Sequence, residues 1–217
     1  MEKWYKLNQM KIYHVINKSI AGFVIFPNYV DYQRFLKLIK YYQFDPILKF
    51  SEYIRLNKKK IVEFEKDLMN KEEPLVNIIA YCLMPTHIHL ALQEVQPNGI
   101  SNYMRKLLNS YTRYFNEKYR RKGPLWQGRF KKVEVGSDEQ LLHLTRYIHL
   151  NPTSAGLVEK PEDWEYSSYR EYIGKGKEKF CLFKDLLDIS AQEYKEFVED
   201  RINYQQELEK IKHLLLE

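Results

Sequence analysis

Two histidines one residue apart, His87 and His89, and a tyrosine followed one helical turn later by an amide, Tyr147 and Asn151, are side chains of this 217-residue chain whose types and spacing could do chemistry together. In a strand, residues i and i+2 project from the same face. His87 and His89 therefore stand side by side, close enough for both imidazoles to bind one ion, while Ile88 turns towards the core. Taken alone, the pattern equally describes a strand with two half-exposed histidines. In a helix, residues four apart stack, so His143, Tyr147 and Asn151 line one side and bring an imidazole, a phenol and an amide together. A phenol with a pKa of about 10 is a poor nucleophile at neutral pH, so tyrosine chemistry at phosphorus needs a base or a metal-polarised phosphate. The cation would also neutralise charge building on the nonbridging oxygens. Among 18 tyrosines, spacing does not single out Tyr147.

The elements that must position these groups follow from hydrophobic period and breakers. Residues 12–17 (IYHVIN) and 22–26 read as strands ended by Pro27 and Asn28, and Asp31 can cap a helix with Phe35, Leu38, Ile39 and Tyr42 at helical spacing. Residues 45–74, rich in Lys and Glu, fit one charged amphipathic helix inserted beside the core. The run LVNIIAYCLM (75–84) suits a central strand buried on both faces, and after a Pro85–Thr86 turn residues 87–93 alternate cleanly. Ile100, Tyr103, Met104, Leu107, Leu108, Tyr111 and Phe115 form one helical stripe, with Arg105, Asn109, Arg113 and Asn116 opposite. A turn at Gly123–Pro124 leads to WQGRFKKVEV, which ends as a strand. Ser137 and Gln140 then suggest a capping box for a helix with Leu141, Leu144 and Ile148 as its core stripe, stopped near Asn151 by Pro152. Residues 1–173 thus make one domain carrying the 45–74 insertion, and residues 174–217 a linker (GKGKEKF) and a helical tail.

Composition bounds the function. A hydrophobic fraction of 44% and a charged fraction of 29% describe a globular chain, neither disordered nor fibrous. No apolar run is long enough to span a bilayer and residues 1–10 lack a secretory core, so no membrane partner and a cytoplasmic location are expected. Cys82 and Cys181 stand in unrelated contexts and imply no disulfide framework. The net charge of +6 is concentrated: residues 99–132 hold ten basic residues against Glu117, leaving −3 for the rest. Arg105, Arg113, Arg120, Arg121, Lys122, Trp126, Gln127, Arg129, Lys131 and Lys132, interleaved with Tyr103, Tyr111, Tyr114 and Tyr119, suit a phosphate backbone with bases available for stacking. A solvated helix face with core aromatics is the alternative.

The segments YCLMPTHIHLAL (81–92) and RYIHLNPTSAGLV (146–158), in that order and with GPLWQGRFK (123–131) between them, resemble the REP-associated tyrosine transposases of the HUH single-tyrosine superfamily. The likeness covers roughly residues 13–172. It implies an α+β fold, a ferredoxin-like antiparallel sheet with helices packed on one side, with His87 and His89 as metal ligands on a central strand and Tyr147 as nucleophile on a following helix. Asn151 stands where relatives complete the metal site with an amide, whereas His149 points elsewhere and His143 has no counterpart in the motif. The implied activity is cleavage and rejoining of single-stranded DNA near hairpins through a 5′-phosphotyrosyl intermediate. Magnesium or manganese is the expected cation, with zinc the less favoured choice. A DNA-binding protein without strand transfer and an HUH replication initiator or relaxase are the alternatives. Monomer and homodimer remain open, and the 45–74 insertion and the tail depart from the family pattern.

Overall fold

The computed structural model describes residues 11–71, 73–176, 180–202 and 204. Residues 1–10, the middle of the expected linker (177–179) and residues 205–217 of the expected tail lie outside the described residues. β1 (Lys11–Lys18) opens the fold as an alternating strand. The second expected strand, at 22–26, does not form. Ala21 (φ 49°) and Gly22 (φ 66°) adopt left-handed backbone in a 3-10 turn, so the chain folds over before it can extend.

α1 (Tyr29–Tyr41) is capped by Asn28, whose side-chain oxygen accepts from the amides of Val30 at 3.1 Å and Asp31 at 3.3 Å. Asp31, expected as the cap, is instead buried. Its carboxylate accepts from Tyr114 Oη at 2.8 Å, Lys118 Nζ at 2.6 Å and Tyr119 Oη at 2.5 Å. The insertion is two helices rather than one, α2 (Phe50–Tyr53) and α3 (Lys58–Lys71). Phe50 packs on Tyr41 with ring centroids 5.0 Å apart and Phe64 on Tyr53 at 5.8 Å, so an aromatic cluster tethers this charged segment to the end of α1.

β2 (Val76–Met84) and β3 (His87–Glu94) form a hairpin, followed by α4 (Gly99–Lys118), β4 (Lys131–Glu134) and α5 (Asp138–Ser154). The apolar stripe expected for α4 is buried throughout. Its first residue has to be glycine, because a Cβ on Gly99 would lie 2.1 Å from the Leu75 carbonyl oxygen. Ser137 Oγ accepts from the Gln140 amide at 3.1 Å, but Gln140 returns its bond to the amide of Gly136 rather than closing the expected box. α5 runs past Pro152 to Ser154, because a proline this near the end forfeits one ladder bond while Ala155 N still donates to Asn151 O at 3.0 Å. α6 (Tyr169–Tyr172) and α7 (Ala191–Glu199) complete the described chain.

The sheet order is β2-β3-β1-β4, all pairs antiparallel, which is the ferredoxin-like arrangement of the α+β class. α1 and α4 form the helical layer on one face, over Val15, Ile78, Tyr81, Leu83, Ile88, Leu90 and Leu92. The other face is covered as well. Leu141, Ile148 and Leu150 of α5, with Tyr169, Tyr172, Phe183, Leu187, Tyr194 and Val198, pack on Ile12, Ala80, Cys82, Met84 and Ala91. A bulge between Ile78 and Ala80 shifts the alternation of β2 by one, so that Val76 and Ile78 before it and Tyr81 and Leu83 after it face the α1–α4 core, while Ala80, Cys82 and Met84 face α5. β2 was expected to be central and is an edge. It reads as central because residues 166–168 and 182 pair along its outer side, through Leu83 N to Tyr166 O at 2.9 Å, Ser168 N to Tyr81 O at 3.0 Å and Leu182 N to Ile78 O at 2.7 Å.

Asp31 joins the two ends of the α1–α4 layer through one fully desolvated carboxylate. Asp31→Ala should leave Lys118 without its counter-charge and two phenols without an acceptor, lowering stability by about 3–5 kcal/mol in urea titration. A loss under 1 kcal/mol would show that the hub is ornamental.

Candidate active site

β3 alternates because Ile88, Leu90 and Leu92 are drawn into the α1–α4 core, and this turns His87, His89 and Ala91 to the α5 face. His89 is 2% exposed and His87 half-buried, and their ring centroids are 5.0 Å apart at 79°. Tyr147 reaches the same face from α5, its ring edge-on to His89 at 5.5 Å. The structure therefore brings His87, His89 and Tyr147 together as the sequence suggested. Asn151 lies one turn further along α5, where its Nδ2 donates to the Tyr147 carbonyl at 2.8 Å. That bond ties the amide nitrogen back onto the helix and leaves the oxygen as the atom not spent on it.

The sequence reading missed His14. β1 pairs with β3 over eight residues, with Ile16 opposite His89 and Lys18 opposite His87, so His14, Ile16 and Lys18 share the histidine face. His14 Nε2 lies 3.0 Å from His89 Nδ1, with the two rings nearly coplanar at 17° and centroids 5.3 Å apart. Tyr147 stands edge-on to His14 as well, at 5.9 Å. The available signal was the alternation of IYHVIN itself, which puts His14 on one face with Ile16; only the strand order shows that this face is shared with His87 and His89.

Burial shapes the electrostatics. It holds the His89 imidazole well below its ordinary pKa, assisted by the positive potential of His87, His14 and Lys18, and it lowers His14 to about 4. Both rings are neutral at physiological pH, the form in which imidazole binds a cation. The imidazoles of His87 and His89 with the amide oxygen of Asn151 are a donor set that fits a divalent ion and leaves further positions for phosphate or water. Among the described residues no group of three or more His, Cys, Asp or Glu side chains is arranged as a closed metal cage.

The other histidines of α5 are occupied elsewhere. His143, placed beside Tyr147 by spacing, is exposed, with Nδ1 2.7 Å from an Arg146 guanidinium nitrogen and its ring on Phe197. His149 is fully buried between Tyr194 Oη at 2.7 Å and Ser168 Oγ at 2.8 Å, away from the site as expected.

The basic segment divides between the faces. Arg105 and Arg113 are exposed on the outer side of α4, across the sheet from Tyr147. Arg120 and Lys122 lie exposed in the turn after α4. Arg121 donates to Asn116 Oδ1, to the Gly123 carbonyl and to the Pro124 carbonyl at 2.6 Å, so its guanidinium shapes that turn. Trp126 is half-buried, donating its indole N–H to Thr112 Oγ1 at 3.0 Å and packing near Phe35 and Tyr111. Lys132, opposite Val15, lies over the Tyr13 ring at 4.4 Å on the α4 face. Lys131, opposite Ile16, faces the histidines. The exposed loop of Gln127 and Arg129 starts beside Lys18, to whose carbonyl Gln127 N donates at 2.9 Å.

Residues 52–151 match the family described as "Transposase IS200 like", a span that holds His87, His89, Tyr147 and Asn151 but not His14. The chain is 36% identical over 108 residues to a "Putative REP-associated tyrosine transposase" of Haemophilus influenzae, covering 44% of this chain and 60% of that relative. It is 25% identical over 126 residues to a "REP-associated tyrosine transposase" of Escherichia coli, covering 57% of this chain and 72% of that protein. The chain thus spans less than two thirds of the first relative's length. In fold it is similar to a solved REP-associated tyrosine transposase bound to a REP hairpin, with a TM-score of 0.53, 18% identity, and coverage of 84% of this chain and 90% of that one. The resemblance read from the motifs is thus found again in alignments over part of the chain and in the fold.

Burial depresses His149 to about 3, so the folded state keeps it neutral while an unfolded chain takes up a proton below its ordinary value near 6.5. This neutral histidine is without cost above pH 6.5, and stability falls as pH drops from there towards 3, by up to about 1.4 kcal/mol per unit. The His149 ring proton resonance should stay fixed between pH 7 and 4 while the melting temperature declines. A resonance that titrates near pH 6.5 would show that the ring is not enclosed.

Proposed function

We propose that this chain is a single-tyrosine DNA strand transferase of the kind its relatives are named for, acting in the cytoplasm on single-stranded DNA beside a hairpin. The observation that carries the reading is the meeting of Tyr147 from α5 with His89 and His14 on one sheet face, its ring 5.5 Å and 5.9 Å from theirs. His87, His89 and the amide oxygen of Asn151 would hold magnesium or manganese, zinc being less favoured beside phosphate oxygens. Bound there, the cation would neutralise charge on the scissile phosphate.

Tyr147 Oη attacks phosphorus and gives up its proton, the bond from phosphorus to the 3′ oxygen breaks, and that oxygen takes a proton to leave as a 3′ hydroxyl. A 5′-phosphotyrosine remains. Because one phosphodiester has been exchanged for another, a 3′ hydroxyl can reverse the step or join a new end without an external energy source.

Tyr147→Phe should abolish the covalent protein–DNA adduct formed with a hairpin-flanking oligonucleotide and manganese, read on a denaturing gel, while DNA affinity changes less than twofold. An adduct of wild-type yield in that variant removes Tyr147 as nucleophile. A wild-type protein that binds the hairpin and never forms an adduct favours the DNA-binding alternative.

The placement of the cations sharpens the DNA path. Lys18 and Lys131 share the histidine face, whereas Arg105 and Arg113 lie across the sheet. Each single-strand phosphate contact removed flattens the slope of log affinity against log salt by about 0.7. Lys18→Ala with Lys131→Ala should therefore flatten it by about 1.4 for a short single strand, and Arg105→Ala with Arg113→Ala should leave it unchanged. The reverse pattern would route the scissile strand over α4.

A further inference from the structure

His14 lies outside the residues matched to the family, touches His89 and Tyr147, and has no part in the reaction as set out above. The Nδ1 atoms of both proposed ligands are already engaged. His87 Nδ1 is 3.1 Å from Thr86 Oγ1 and His89 Nδ1 is 3.0 Å from His14 Nε2. A ligating imidazole needs a bare nitrogen towards the cation and a partner for the proton on the other. On either side of His89 the cross-strand neighbours are Cys82 and Ile16, and neither side chain offers an oxygen.

One proton must lie between His14 Nε2 and His89 Nδ1, and burial decides whose it is. If His14 donates, the second proton of the pair sits on Nε2 of a ring that is 2% exposed, and the lone pair a cation needs is taken. If His89 donates, that second proton sits on Nδ1 of half-buried His14, the more exposed of the two rings, and the lone pair of His89 Nε2 is left bare. We infer that His14 is a positioning residue that accepts the Nδ1 proton of His89, fixing its ring and its tautomer so that Nε2 is presented as a ligand. The inference rests on the metal reading of the histidine pair for its purpose, but the tautomer itself is a property of the metal-free chain.

Full-length, metal-free protein labelled with nitrogen-15 tests it by long-range proton–nitrogen correlation, which reports the nitrogen that carries each imidazole proton. The expected wild-type result is His89 protonated on Nδ1 and bare on Nε2. His14→Phe should move His89 towards the Nε2–H form and weaken manganese binding, followed by water relaxation, by about 10–100-fold. His14→Gln, whose amide oxygen reaches the place of the lost Nε2, should restore both. A wild-type His89 protonated on Nε2 overturns the inference without any variant, as does a folded His14→Phe protein with unchanged tautomer and manganese affinity. Wild-type protein that shows the expected tautomer and binds no manganese overturns the metal reading instead and leaves the His14–His89 bond as inferred.

Discussion

Eight consecutive pairs join β1 to β3, and the arrangement of the whole molecule follows from that register. Side chains opposite one another in an antiparallel pair share a face, so the pairing sorts the two strands into an apolar set, Val15 with Leu90 and Tyr13 with Leu92, and a set containing His14, His87, His89 and Lys18. A slip of one residue would put the histidines under α4 and the leucines under α5. The apolar set prevents that slip because each of its members is at or near zero exposure beneath α1 and α4, apart from half-buried Tyr13. The histidine face is thus held in place by the burial of the apolar residues on the other face.

The two faces are built on different terms. Under α1 and α4 the core is nearly all apolar, and the buried carboxylate of Asp31 is answered by a lysine and two phenols at the far end of α4. On the α5 face neutral polar groups bond one another, buried His89 with half-buried His14, and buried His149 with Ser168 and Tyr194. Buried polar groups that find partners fix geometry at little net cost, whereas an unpartnered one would cost about 1–3 kcal/mol. Such a face specifies orientation better than an oily one does, and orientation is what a nucleophile and its ligands require.

Local signals were the legible ones. The alternation of residues 87–93 and the seven-residue stripe of α4 told which side chains point together, and both appear as expected. Tyr147 stood out only through the motif resemblance, since spacing gave His143 an equal claim that the structure withdraws by turning that ring to Arg146 and Phe197. Several features depended on partners distant in sequence and left no local mark. His14 matters because β1 and β3 are neighbours, 75 residues apart at the bonded pair. Asp31 read as a cap because a carboxylate before an apolar run fits that role, and its actual partners lie 83 to 88 residues away. The run 75–84 read as central because burial on both faces looks the same whether the outer edge meets a strand or the irregular chain at 166–168 and 182. The failed strand at 22–26 turned on Ala21, whose positive φ no residue propensity foretells.

What remains is how a helix lying on a sheet acquires a definite rotation about its own axis. The buried aliphatics of α5 are Leu141, Ile148 and Leu150, with Leu142 and Leu144 partly buried against the same core. His149 adds a directional constraint. It is bonded at both nitrogens, to Ser168 beside the β2 edge and to Tyr194 on α7, and Ser168 is itself tied to the sheet through Tyr81. Two residues apart on a helix is a rotation of about 200°, so a ring locked into α6 and α7 on one flank directs Tyr147 to the opposite flank, where His14 and His89 stand. The segment after residue 160, which carries none of the proposed site residues, is therefore the part of the chain that sets where Tyr147 points.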